Sequence, residues 1–179
     1  MAGPPIPDVS SVASPPRRSI SYADLQTGGD PIGAGGNAVV YEATLPDADS
    51  PDCVAVKEPP TNLDTLNFDT IQPLLDEAET WEMLDRYERE KPRWTDSEHI
   101  VGIVDYGEHN SVPWIAMEYM NGGSLQDRLD QQPEGLPLNE ALWVGECICR
   151  GIELAHNYGI AHLDLKPANV LFRKTADGI

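Results

Sequence analysis

His162-Leu163-Asp164-Leu165-Lys166-Pro167-Ala168-Asn169 is the stretch that decides how this 179-residue chain is read. With each residue type at roughly 5% usage, its His, Asp, Lys, Pro and Asn at fixed offsets arise by chance in such a chain less than about once in 10⁴. Upstream, Ala141, Val144, Ile148, Ile152 and Ala155 recur at spacings of three and four. That spacing predicts a helix over 139–157, with Gly159 as its stop. Before it, Ser124 is placed to cap a short helix over Leu125 to Leu129, and Gly122-Gly123 marks a break in the chain. After the stretch, Asn169-Val170-Leu171-Phe172 reads as a strand.

The first half of the chain is patterned differently. From Ser21 to Ala43 the pattern is strand, glycine-rich turn, strand. Within it, Gly33-Ala34-Gly35-Gly36-Asn37-Ala38-Val39-Val40 leaves backbone amides open to phosphate oxygens, and an ordinary tight hairpin is the plain alternative. A dinucleotide-binding fingerprint is excluded, because it needs a helix directly after the glycines and a Val-Val-Tyr strand follows here. A loop over 46–52 leads to a buried strand, Cys53-Val54-Ala55-Val56-Lys57. A helix is expected from Pro73 to Tyr87, with Pro at its first position. On that helix Glu77 shares a face with Leu74, Trp81 and Leu84, whereas Glu79 lies nearer Leu75 and Met83. A carboxylate on a buried face is costly unless paired, and Lys57 is the candidate partner. Ile100 to Tyr106 and Trp114 to Tyr119 read as two further strands.

At this point a resemblance is visible. His162 to Asn169 is similar to the H-R-D-L-K-P-x-N catalytic loop of eukaryotic-like protein kinases, and the Lys-Pro pair resembles the serine/threonine branch. The glycine hairpin and Val54-Ala55-Val56-Lys57 fit the same family. The resemblance covers about Tyr22 to Phe172. It implies an α+β, protein-kinase-like fold: a five-stranded antiparallel N-lobe with one helix over 21–120, and the first helices of a mainly helical C-lobe over 121–179. It implies an ATP- and Mg²⁺-dependent enzyme that phosphorylates Ser/Thr hydroxyls of protein substrates. Asp164 resembles the carboxylate that accepts the hydroxyl proton, Lys166 the cation on the γ-phosphate, and Asn169 a neutral oxygen ligand for Mg²⁺. Lys57 resembles the lysine on the α- and β-phosphates, its rotamer fixed by Glu77. Ile32, Val40, Ala55 and Leu171 are implied to sandwich adenine under the lid from Gly33 to Ala38. Met117 stands at the gatekeeper position, Glu118 to Met120 at the hinge, and His162 at a structural core position.

The chain departs from the family pattern in three places. Leu163 replaces the arginine that in many kinases grips an activation-loop phosphate, and Ala38 replaces the third glycine. No Asp-Phe-Gly follows Asn169, Thr175-Ala176-Asp177-Gly178 reading as a turn, so the chain reads as truncated and weak or inactive alone. Two other functions stay open: a non-catalytic kinase-like module acting on a regulatory partner, and a small-molecule phosphotransferase.

Thirty acidic against 12 basic residues give a net charge of −18. That surface repels nucleic-acid phosphates and anionic lipids. Because the acids are spread through every segment, the charge fits a halophilic, salt-adapted surface better than a binding tail. Cys53, Cys147 and Cys149 have no metal or redox spacing, and no apolar run suits a membrane, so a cytoplasmic location is expected. Residues 1–20 are rich in Pro, Ser and Ala and read as a disordered arm. Within them Arg17-Arg18-Ser19-Ile20 resembles a basophilic phosphorylation site, the plainer reading being a solvated basic pair.

Overall fold

Consecutive buried residues in the central strands, Val54 to Val56 and Pro113 to Ala116, mark a sheet covered on both faces. The computed structural model describes residues 19–35, 38–45, 53–60, 68–89 and 99–174. Among the described residues, six antiparallel strands run β1 (Gln26–Thr27), β2 (Gly33–Ala34), β3 (Val39–Thr44), β4 (Cys53–Glu58), β5 (Ile103–His109) and β6 (Val112–Glu118). Their order is β1-β3-β4-β6-β5, with β2 also paired to β3. The expected count of five becomes six because the first strand is interrupted. The Gly28 N–H still reaches the Glu42 carbonyl and the Ile32 N–H reaches Val40, both at 2.8 Å. Between them Gly29, Asp30 and Pro31 leave the ladder, and proline has no N–H to offer it. β5 and β6 are joined by Asn110 and Ser111 at φ 51° and 64°, the paired positive values of a tight hairpin turn.

One face of the sheet packs Val54, Val56, Val104, Trp114 and Ala116 together with Ile20. The other packs Ile103 and Ile115 against Leu74 and Ala78 of the helix α1 (Phe68–Arg89). α1 starts before the expected Pro73, which lies inside it. There the proline is exposed and, lying past the first turn, removes the backbone bond that its N–H would have made to the carbonyl of residue 69. At the other end of the chain's first half, Ile20 is 8% exposed, so the expected disordered arm is corrected at its last residue. Tyr22–Asp24 forms a single 3-10 turn where strand was expected. Residues 1–18, the loop over 46–52 and the turn over 175–178 lie outside the described residues.

The described residues form two compact units. The first holds the sheet and α1. In the second, α2 (Leu125–Gln131) begins at Ser124 with a full capping box, the serine side chain and Asp127 exchanging bonds across the first turn. α3 (Leu138–Asn157) ends at Gly159, where φ is +74° and the Ile160 N–H closes back on the Ala155 carbonyl. Leu125, Val144 and Phe172 form this unit's core. The expected strand over 169–172 is a single bridge, Leu171 to Ser124. Asn169 belongs instead to a 3-10 turn, Pro167–Asn169. No helix among the described residues is long and apolar enough to cross a membrane.

Candidate active site

The sheet register sets where Lys57 stands. Lys57 is opposite Val40 on β3 and Ile115 on β6. Cross-strand partners share a face, and Ile115 packs beneath α1, so the lysine emerges on the helix side. There its Nζ donates to both carboxylate oxygens of Glu77 at 2.6 Å. The ammonium keeps one further N–H for another acceptor. Glu77 is the expected partner for a different reason from the one expected. Leu74, Ala78 and Leu84 are the buried stripe of α1, while Glu77 lies on its rim with 44% of the side chain exposed. Charge attraction therefore makes the pair without the penalty of a buried carboxylate.

Around Lys57, Ala55 is buried and pairs with Met117. Val40 pairs with Gly33, and the Gly35 N–H closes on the Ala38 carbonyl at 2.9 Å. Ile32 is half exposed. Gly36 and Asn37, the tip of the expected lid, lie outside the described residues. At the expected hinge, the Glu118 N–H donates to the Gly102 carbonyl at 2.8 Å, and the buried Glu118 carboxylate takes the Gly102 N–H at 3.3 Å. Glu42, which no sequence motif marks, joins the next residue: its hydrogen bond to the Tyr119 hydroxyl, with some burial, raises that group above its ordinary range. Only strand register brings Glu42 there.

The second unit carries the residues expected to form a catalytic loop, and their contacts are local. Lys166 Nζ lies 2.8 Å from Asp164 Oδ2 and 3.1 Å from Oδ1. Asn169 Nδ2 donates to the Asp164 carbonyl at 2.8 Å and to Oδ2 at 2.9 Å. The bonds from Lys166 and then Asn169 hold the Asp164 carboxyl below the usual carboxylate range, so it is ionised at neutral pH. Leu163, 95% exposed, holds φ at 60°, a conformation that costs a leucine on the order of 1–2 kcal/mol. The core position expected for His162 is corrected: residues 161–166 are all exposed, and no apolar layer covers the imidazole. Its contact is local, Nδ1 accepting the Asp164 N–H at 3.3 Å.

The loop is tied down just after Asn169. The Leu125 N–H meets the Val170 carbonyl, the Phe172 N–H meets Gly123, and the Gly122 N–H meets Phe172, all within 2.9 Å. Phe172 is buried beside Trp143 and under the Arg128 guanidinium, which lies 3.8 Å from the ring centroid. Leu171, alternating with it, is 42% exposed. Met120 is half-buried.

The sheet order, the strand-to-helix ion pair and the carboxylate loop are those of a protein-kinase-like fold. A model of the protein kinase domain matches residues 27–178, and the chain belongs to that family. It is similar to the serine/threonine-protein kinase pkn2 of Myxococcus xanthus, 38% identical over 98 residues that make up 54% of this chain and 12% of that protein. The probable serine/threonine-protein kinase PknB of Lactococcus lactis is 39% identical over 88 residues, 48% of this chain and 14% of that one. The crystal structure of a point mutant of the Mycobacterium tuberculosis PknI kinase domain superposes with a TM-score of 0.61 at 25% identity, covering 91% of this chain and 59% of that one. The chain thus spans 12% and 14% of the length of the two curated relatives.

Proposed function

We propose that this chain is the nucleotide- and catalytic-loop portion of an ATP-dependent serine/threonine protein kinase. The observation that carries the reading is the convergence of Lys166 and Asn169 on the ionised carboxylate of Asp164. Family membership and relatives named as serine/threonine kinases support it.

The donor set fits a magnesium nucleotide. Asn169 spends its amide nitrogen on Asp164, which leaves its oxygen as a ligand for a hard cation. Among the described residues no group of three or more His, Cys, Asp or Glu could hold a metal, so further ligands are expected from the nucleotide phosphates. When bound, ATP with Mg²⁺ supplies the activated phosphoryl group and much of the charge neutralisation its transfer needs. Lys57, aimed by Glu77, holds α- and β-phosphate oxygens. Asp164 orients the substrate hydroxyl and accepts its proton, and Lys166 neutralises charge on the phosphoryl group in transit. Ile32, Val40, Ala55 and Leu171 are the adenine contacts, and the backbone from Glu118 to Met120 binds the base edge.

The test is transfer of labelled γ-phosphate to a Ser- and Thr-containing protein by a longer chain that includes this sequence, with Asp164→Asn as the control, transfer by the present chain alone being expected to be weak or absent. Label on protein hydroxyls that disappears in the variant is expected. Label appearing instead on a small alcohol, or surviving the substitution, would refute the proposal.

A further inference from the structure

Ser19 and Ile20 mark the point at which the chain enters its core. Ile20 is buried against Val54, Val56 and Trp114, and its N–H donates to Asp105 Oδ2 at 2.7 Å. Ser19, one residue earlier, is exposed. The residues that follow fasten the same strap across the sheet. The Tyr22 hydroxyl donates to Glu58 Oε2 at 2.8 Å, and its ring stacks on His109 at 4.7 Å. None of these contacts serves phosphoryl transfer. In sequence, Arg17-Arg18 come directly before this strap, so the exposed Ser19 follows two arginines and precedes an apolar anchor.

We propose that Ser19 is a phosphorylation site for an arginine-directed serine kinase, and that the phosphate undocks the strap from the sheet. In the modification Ser19 Oγ bonds to the γ-phosphorus of a nucleoside triphosphate. The bond from that phosphorus to its bridging oxygen breaks and the nucleoside diphosphate leaves. The hydroxyl proton passes to a carboxylate of the modifying kinase and then to solvent. The product puts nearly two negative charges on the residue next to the amide that Asp105 holds. At that range, well inside a Debye length, the phosphate and the Asp105 carboxylate repel, and the Ile20 bond is the contact that gives way. Undocking uncovers Trp114 and Val56 and frees Tyr22 from Glu58. The inference is independent of this chain's own catalysis, because the modifying enzyme is supplied separately.

The experiment uses the full chain carrying Thr175→Ala, since Arg173-Lys174-Thr175 repeats the basic-basic-hydroxyl pattern. An arginine-directed serine kinase and ATP are added, the phosphate is mapped by mass spectrometry, and amide exchange at Ile20 is followed by NMR. Expected are one phosphate on Ser19, exchange at Ile20 faster by about tenfold, and recovery after phosphatase treatment. In Asp105→Asn, which keeps an acceptor and loses the charge, the acceleration should fall to less than half. No phosphate on Ser19, unchanged or slower exchange, or an equal response in Asp105→Asn would each overturn the proposal.

Discussion

Lys57 and Asp164 are both charged groups held by polar partners, but the partners come from different distances. Lys57 pairs with Glu77, 20 residues away, and needs a strand and a helix packed together before the bond can form. Asp164 is gripped by Lys166 and Asn169, two and five residues away, inside one loop. The first arrangement inherits its precision from the core beneath it, where Ile103, Ile115, Leu74 and Ala78 are almost fully buried. The second inherits it from a few loop bonds and from the anchor at Phe172. The comparison separates two kinds of rigidity, one inherited from a core and one from a loop, and each has its own point of failure.

The largest expected effect is at the local group. Asp164→Asn should lower phosphoryl transfer by about 10²–10⁴-fold, the range for a positioned proton acceptor, with melting temperature unchanged because the side chain is exposed. Kinetics beside a thermal melt check this, and a coincident loss of folding would show that the carboxylate is structural.

At the long-range group, Lys57→Met should weaken nucleotide binding by about 10–100-fold, as expected for loss of a charge-assisted bond to phosphate. Glu77→Gln should weaken it less. With 22% and 44% of the two side chains exposed, the pair adds at most about 1 kcal/mol to stability. Titration calorimetry and a melt on Glu77→Gln therefore separate aim from stability; a large drop in melting temperature would contradict the exposed, aiming role.

The anchor is the next point to break. A Cβ at Gly122 would collide with the Phe172 carbonyl oxygen, so Gly122→Ala must push the two segments apart. A cost of roughly 1–3 kcal/mol is expected, typical of overpacking, and denaturant unfolding measures it. Leu163→Gly should act oppositely, gaining up to about 1 kcal/mol by relieving the positive φ, since the exposed side chain loses no packing.

The smallest effect is at high pH. Burial, then the bond to Glu58, pushes the Tyr22 hydroxyl from 10.0 up to about 12. A raised value in the folded state means that the neutral form is favoured there. The stability this contributes is intact below pH 10 and is lost as pH rises from 10 toward 12. Tyr22→Phe should flatten that part of the stability curve, and melts across this range test it.

Much of the site is legible in the sequence wherever a bond closes over a few residues. The Ser124 to Asp127 box, the Gly159 stop and the order of residues from His162 to Asn169 are all of that kind. Glu77 was legible too, from the apolar stripe it interrupts, although it stands on the rim of that stripe. Hidden were the break in the first strand, the exposed His162 ring, Glu42 beside Tyr119, and the burial of Ile20. Each depends on which segments meet, and strand register or helix packing settles that.

By itself, then, the sequence determined the family, the chemical groups of the catalytic loop and the local turns that shape it, because those features rest on short offsets and backbone geometry. Tertiary structure alone decided that the expected Lys57–Glu77 pair forms on the rim of α1 and not on its buried face, that Gly122 touches the chain at Phe172, and that the segment around Ile20 is fastened to Asp105. The physical reason is the same in all three: those contacts join residues far apart in sequence, and they exist only once hydrophobic burial has brought the segments together.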